Sequence, residues 1–257
     1  MMSKGERVMS KGERAKSARE KIRAQQAAER AREQRKRVVT YMTVGVVAVA
    51  AVGLGAWYAA SKSQAELAGD TAPTTVQSDG SVVMAKSGVA KPVIDIYEDF
   101  QCPACKQMEE VSGSTFRNLA AEGLAKVVYH PITIFSTEPT KGNSVRAGAA
   151  ARCLTDGKQW LAFHDLLYKN QPSETVEGFK TDQMVTWAKS AGATAAGIDT
   201  CITGQKNAQA QLDYSAKVNK EQKLQGTPTV KLNGTAMDNN VVFTPKDLRD
   251  AVTKAAK

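Results

Sequence analysis

The chain has 257 residues, 42% of them apolar and 24% charged, with a formal net charge of +9. Residues 1–37 carry 13 Lys/Arg against 5 Asp/Glu, and the other 220 residues carry 22 against 21. The body of the chain is therefore close to neutral, which excludes a broadly basic globular surface and confines the work of the basic excess to the N-terminus.

The opening repeats itself, Met2-Ser3-Lys4-Gly5-Glu6-Arg7 and then Met9-Ser10-Lys11-Gly12-Glu13-Arg14. Arg14 to Arg37 is rich in Ala, Arg, Glu, Gln and Lys, good helix formers with no apolar face to bury. Such a segment suits solvent or an anionic lipid surface. No aromatic residue interrupts it to stack on a base, so nucleic-acid binding is not expected. Val38 to Ala60 carries no charge and is mostly Val, Ala, Gly, Leu and Met. That length crosses the ~30 Å hydrocarbon layer as a helix. Trp57 and Tyr58 lie at one end and Arg35, Lys36 and Arg37 at the other, which predicts one membrane pass with residues 1–37 cytoplasmic. The rival is a cleaved signal peptide with Ala59-Ala60-Ser61 as a weak cleavage site, but its apolar core is normally much shorter. Either way, the chain beyond Lys62 is expected to be extracytoplasmic and exposed to oxidising conditions.

Residues 61–80 are polar and read as a flexible tether, leaving 81–257 as one domain with ample length for a core. Val82-Val83-Met84 is a short apolar run, and Pro92 to Tyr97 reads as a strand rich in β-branched residues. Cys105, Met108, Val111, Phe116 and Leu119 come next at helical spacing. Ala125 to Ile134 reads as a second strand. From about 139 to 206 the pattern is helical, with Trp160, Leu161, His164, Leu167 and Tyr168 on one face and Met184, Trp187, Ala188 and Ala191 on another. A polar helix is expected over 207–224. Thr229–Leu232 and Val241–Phe243 read as short strands, and Asn233-Gly234 as a tight-turn signal. Thr244-Pro245 opens a last helix with Thr244 as N-cap. Strand, helix and strand in succession point to an α/β sheet, here interrupted by a helical block.

The four cysteines are Cys102, Cys105, Cys153 and Cys201. Cys102-Pro103-Ala104-Cys105 sits where a strand gives way to a helix. Free backbone N–H groups and the helix dipole there favour a thiolate, the nucleophile of disulfide exchange. Pro103 costs little at a first helical position. A purely structural bridge is a poor explanation, because a CxxC loop is too small to restrain the unfolded chain much. A zinc site is a poor one too, since Cys153 and Cys201 form no second knuckle.

The run Val93-Ile94-Asp95-Ile96-Tyr97-Glu98-Asp99-Phe100-Gln101-Cys102-Pro103-Ala104-Cys105-Lys106 resembles the active-site segment of the DsbA-like family, and Gly226-Thr227-Pro228-Thr229 resembles its cis-proline loop. The resemblance covers about 81–257. It implies a thioredoxin-like fold with an inserted helical domain, preceded here by one transmembrane helix, and oxidation of thiol pairs in exported proteins. It implies Cys102 as the exchanging sulfur, Cys105 as its resolving partner, Pro228 as the cis-proline and Thr227 as a backbone contact for the substrate strand. Pro103 and Ala104 would complete the substrate-facing surface. Without the CxxC, Pro228 would read as an ordinary trans turn proline before a strand. The resemblance also implies a structural Cys153–Cys201 disulfide, worth roughly 3–4 kcal/mol in chain-entropy terms. The rival for that pair is two free buried thiols. No cofactor and no metal are expected. The implied partners are reduced exported proteins and a membrane quinone-linked reoxidase of the DsbB or vitamin-K-epoxide-reductase (VKOR) type.

The sequence departs from the wider thioredoxin pattern at Ile96, where an acid often serves the buried thiol. Asp95 is offset by one and points to the other face of its strand. Glu98 and Asp99 are the substitutes, and the role stays unassigned. His130 and His164 lack cysteine or carboxylate neighbours at ligand spacing and read as structural. The Pro-Ala dipeptide leaves the redox direction open between oxidase, isomerase and reductase. A membrane-tethered chaperone or binding module is the non-enzymatic rival.

Overall fold

The computed structural model describes residues 72–257, so the basic segment 1–37 and the expected span 38–60 lie outside the described residues. Among the described residues no helix is long and apolar enough to cross a membrane. A sheet of six strands, β1 (Thr74–Val76), β2 (Val82–Met84), β3 (Val93–Glu98), β4 (Lys126–Pro131), β5 (Thr229–Leu232) and β6 (Thr235–Ala236), runs in the order β1-β2-β4-β3-β5-β6. Its central strand, β3 (Val93–Glu98), alternates as β-branched sequences do. Ile94 and Ile96 enter the main core and Tyr97 the opposite face. Helix α1 (Pro103–Ala121) comes next and buries Cys105, Met108, Ser112, Phe116 and Leu119 along one stripe. Gly123, at φ 76°, turns the chain out of it. The chain then enters β4 (Lys126–Pro131), parallel to β3. This β3-α1-β4 unit sets Cys102 just beyond the end of the central strand.

Two edges differ from expectation. The predicted tether is structured from Ala72, which is buried, and Thr74–Val76 form β1, antiparallel to β2 (Val82–Met84). Three residues of a Thr-rich run carry little apolar signal, and the strand exists through its partner. At the other edge β5 (Thr229–Leu232) and β6 (Thr235–Ala236) form a hairpin through Asn233 and Gly234, at φ 50° and 82°. Positive φ at both positions suits the twist of a two-residue hairpin. Val241–Phe243 is consequently no strand. Asn239–Val242 form a single helical turn, α7, capped by Asp238, whose carboxylate accepts from Asn240 N at 2.7 Å.

The helical block comprises α2 (Thr140–Ala151), α3 (Gly157–Lys169), α4 (Thr181–Ser190), α5 (Ile198–Thr203) and α6 (Ala208–Gln222). It is continuous up to β5, so the helix expected over 207–224 belongs to it. Cys153 and Cys201 are joined, Cα to Cα 6.0 Å, tying the end of α2 to α5. Tyr214 and Val218 of α6 cover Tyr97 and Ile132 on the far face of the sheet. The last helix, α8 (Pro245–Ala255), begins at Thr244 as expected, though the Thr244 side chain makes no cap bond. Leu248 and Val252 bury it in the main core.

Candidate active site

Cys102 is the N-cap residue of α1, in extended conformation, with Pro103 opening the helix. Its carbonyl accepts from Cys105 N at 3.1 Å and Lys106 N at 3.2 Å. Both thiols are free in this structure, Cys102 at 6% exposure and Cys105 at 0%. Opposite them lies Thr227-Pro228, joined by a cis peptide bond. Cys102 Sγ donates to the Thr227 carbonyl at 3.3 Å across 125 residues of sequence. A groove of about 660 Å³ runs along this junction, lined by Ala104, Gly226, Thr227, Pro228, Met237 and Phe243. Both halves of the predicted site therefore meet, with Ala104 and Thr227 facing the same groove and Pro103 beside it.

The two sulfurs are electrostatically unlike. Hydrogen bonding from the Cys105 thiol draws Cys102 down to about 6 against the opposition of burial. The Thr227 hydroxyl, otherwise unpartnered, and the backbone N–H groups of Cys105 and Ala104 add to this. Cys105 goes the other way, pushed well above its ordinary value by burial and then by the Cys102 charge. One exchangeable thiolate and one reserved thiol result, the asymmetry that directional exchange needs.

Asp99 braces the loop that presents Cys102. Its carboxylate accepts from Gln101 N and Ile134 N, both at 2.9 Å, and from Ser144 Oγ of α2 at 2.7 Å. Burial pushes this carboxyl up to about 7 despite those three donors. Its own N–H donates to Cys105 Sγ at 3.5 Å. From the end of α3, Gln171 Nε2 donates to the carbonyls of Phe100 at 2.7 Å and Cys102 at 3.0 Å. Sequence reading missed Ser144 and Gln171, which act on residues 45 and about 70 positions away and carry no local signal.

The histidines, read as structural, both have polar partners distant in sequence or adjacent in fold. His130 bridges Asp95 and Tyr214 at 3.0 and 2.7 Å on the far face of the sheet. His164 is buried as expected but pairs with Glu98 at 2.9 Å and Asp165 at 3.2 Å. Asp95 faces away from the cysteines, as strand alternation requires. Cys153 and Cys201 lie apart from the groove, in the helical block, bonded as the resemblance implied.

A strand-to-helix dithiol facing a cis-proline loop, on a sheet of this order, defines the architecture as a thioredoxin-like domain with a helical insertion. The chain belongs to the thioredoxin family Thioredoxin_4, which matches residues 84–254. It is similar in structure to DsbA from Mycobacterium tuberculosis in its oxidised form, at 27% identity and a TM-score of 0.58, over 73% of this chain and 93% of that one. The thiol-disulfide oxidoreductase MdbA from Corynebacterium diphtheriae shares the fold at 23% identity and a TM-score of 0.58, over 74% and 98%. Among curated proteins, the serine/threonine-protein kinase PknE of Mycobacterium tuberculosis is 28% identical over 149 residues, 55% of this chain. The match spans only about a quarter, 26%, of that kinase's length. The solved structures that it resembles at above 25% identity include both redox forms of that DsbA, so its fold is DsbA-like.

Proposed function

We propose that the chain is a membrane-anchored thiol–disulfide oxidoreductase that forms disulfides in exported proteins through Cys102 and Cys105. The observation that carries this reading is the pairing of a stabilised Cys102 thiolate, opposite the Thr227-Pro228 loop, with a buried Cys105 thiol. In the oxidised protein a substrate thiolate attacks Cys102 Sγ. The Cys102–Cys105 bond breaks, its electron pair leaves on Cys105, and a mixed disulfide forms. A second substrate thiolate attacks the substrate sulfur of that bond, and Cys102 leaves as a thiolate. Two electrons have passed from substrate to protein, Cys105 takes up one proton, and Cys102 stays a thiolate above about pH 6. Pro228 and Thr227 hold the substrate strand beside Cys102, with Pro103 and Ala104 forming the facing wall. Stabilising the Cys102 thiolate favours the reduced protein and so makes the disulfide a stronger oxidant.

The anchor over 38–60, with the catalytic domain extracytoplasmic, would hold the domain near a membrane quinone-linked reoxidase of the DsbB or VKOR type. Isomerase and reductase are the neighbouring readings, and the reduction potential separates them. A value near roughly −120 mV fits an oxidase and one near roughly −270 mV a reductase. The direct test measures oxidation of a reduced, unfolded test protein by the full chain. Cys102→Ser should abolish it, and retained activity in that variant overturns the reading.

A further inference from the structure

In the interior behind the dithiol, side chains from three elements converge. Glu98 ends β3, Glu109 lies on α1 one turn beyond Cys105, and His164 lies on α3. Each offers an oxygen or nitrogen within 4.8 Å of the other two. Glu98 and His164 are 0% and 1% exposed, and the Glu109 side chain is 7% exposed. Positions 98, 109 and 164 have no ligand spacing in the sequence, so only the fold brings them together.

The polar atoms of this cluster are short of partners. Glu98 Oε1 meets His164 Nε2 at 2.9 Å, but Glu98 Oε2 and both carboxylate oxygens of Glu109 have no hydrogen-bond partner. The buried hydroxyls of Tyr129 and Tyr168 are unpartnered too. Both rings pack edge-on against His164, and the charges of Glu98 and Glu109 act on both hydroxyls. Buried acceptors normally have donors, and leaving one alone costs stability. Gly113, one turn beyond Glu109, clears the space for the Glu109 carboxylate. Glycine inside a helix costs stability relative to alanine, but a Cβ here would lie 2.5 Å from Glu109 Oε2.

Charge gives the valence of a fitting ligand. Glu98, Glu109 and Asp165 bring three negative charges, and Arg117, paired with Asp165 and 3.7 Å from Glu109, brings one positive. With a neutral imidazole two negative charges remain, which a divalent cation cancels. Without one, even a charged His164 leaves a carboxylate uncompensated, and a buried site tolerates that badly. His164 also has the second partner of a ligating histidine. Its Nδ1 donates to Asp165 Oδ1 at 3.2 Å, and Arg117 holds that carboxylate in turn. A carboxylate behind one ring nitrogen fixes the tautomer that leaves the other free to ligate. The Asp165 side chain is 48% exposed, so this end of the cluster opens to solvent.

We infer that Glu98, Glu109 and His164 form a site for one divalent transition-metal ion, with zinc as the reference ion. An imidazole with two carboxylates suits Zn²⁺ better than Ca²⁺, which prefers oxygen throughout. Bonds of ~2.0–2.2 Å put two ligand atoms at most ~4.3 Å apart across the ion, so atoms within 4.8 Å of one another need close by only about half an ångström. Zinc takes a fourth ligand, and that place falls to a water held by the tyrosine hydroxyls. Binding releases the proton that His164 Nε2 shares with Glu98. The ion ties the strand that leads to Cys102 to α1 and to α3 of the insertion. Its role is structural and does not depend on the exchange chemistry proposed for Cys102 and Cys105.

The test uses the full chain with both disulfides formed, so that no thiol competes for metal. After chelator treatment, zinc titrated by calorimetry should bind at one ion per chain, and the melting temperature should rise with free zinc. Cobalt in its place should give visible d–d absorption without the thiolate-to-metal band of cysteine ligation. Asp165→Asn, outside the ligand set, should weaken zinc binding by about 10–100-fold. Glu109→Gln, which keeps the shape but removes a ligand, should weaken it by more than about 100-fold. It should also remove the zinc-dependent rise in melting temperature, whatever the variant's own starting point. No zinc uptake by the oxidised chain, a thiolate band with cobalt, or unchanged zinc affinity in Glu109→Gln overturns the site. The exchange reading is checked apart from it. The reduced chain is mixed with oxidised glutathione, and mass spectrometry follows the mixed disulfide on Cys102. Absence of any glutathionylated Cys102 sinks the exchange reading and leaves the metal result standing.

Discussion

The two cysteine pairs sit in one fold and are held by opposite means. Cys153 and Cys201 are joined covalently, and around them the structure supplies little beyond Asn207 Nδ2, 3.6 and 3.4 Å from the two sulfurs. Cys102 and Cys105 are free, and their surroundings do the holding. Thr227 from the β5 approach, Gln171 from the end of α3 and Ser144 from α2, through Asp99, all converge on the residues around them. In the proposed cycle the Cys102–Cys105 bond opens and closes, so it cannot also be the restraint that shapes its neighbourhood. The helical block therefore serves both pairs, as the cargo of one disulfide and the scaffold of the other.

If that division is right, the largest effect comes from Cys102→Ser, which should abolish exchange while leaving the melting temperature of the reduced protein little changed below about pH 6, where Cys102 carries no charge. Replacing Cys153 and Cys201 together by Ala should do the reverse, lowering stability by roughly 3–4 kcal/mol in denaturant titrations, with exchange by the folded fraction retained. Equal damage to both properties from either change would erase the distinction.

The reactive pair should also imprint a pH dependence that the structural pair cannot. Cys102 is an acid drawn below its ordinary value on folding, so its ionisation adds stability that is fully present above the unfolded thiol's pKa. That stability is lost as pH falls through about 6. The reduced protein should therefore outmelt the oxidised one at about pH 8, and this advantage should shrink as pH falls from there and be gone below about pH 6. Thiolate absorbance in the ultraviolet should rise with a midpoint near 6 and be absent in Cys102→Ser.

How much of this could be read from the sequence depends on the range of each interaction. Val93–Glu98 feeding Cys102 and a helical stripe is a local pattern, and it is legible with no reference to tertiary structure. Gly226-Thr227-Pro228-Thr229 is legible only through resemblance, because a proline before a strand is ordinary until a dithiol faces it. The Glu98–His164 pair spans 66 residues and joins a strand end to an inserted helix, so neither periodicity nor spacing announces it. Val-Val-Phe at 241–243 misleads in the other direction. Its β-branched composition favours a strand, but Asp238 caps a helical turn there and buries Val242. The hairpin partner is already supplied by Thr235 and Ala236.

Smaller effects test the brace one bond at a time. Ser144→Ala removes one of the three donors to the Asp99 carboxylate. A hydrogen bond to a charged acceptor contributes about 1.5–3 kcal/mol, and the lower figure is expected because this carboxyl is drawn toward neutrality by burial. Losing the donor should raise Asp99 further, so the stability difference from the unaltered chain should widen as pH rises through about 7 and the carboxylate is left short of a partner.

Gln171→Ala should cost least. The Cys102 carbonyl keeps its bonds from Cys105 N and Lys106 N, so only the Phe100 carbonyl loses a partner of note. That site is partly buried, and solvent can reach it once the side chain is gone. The net loss should be about 1 kcal/mol, the usual worth of a neutral hydrogen bond. The glutathione reaction then shows whether Gln171 only steadies the loop or aims the sulfur. With steadying alone, mixed-disulfide formation stays within about twofold while stability drops by that ~1 kcal/mol. If exchange falls more than stability does, Gln171 orients Cys102 directly, and the insertion takes part in presenting the nucleophile as well as in holding the loop.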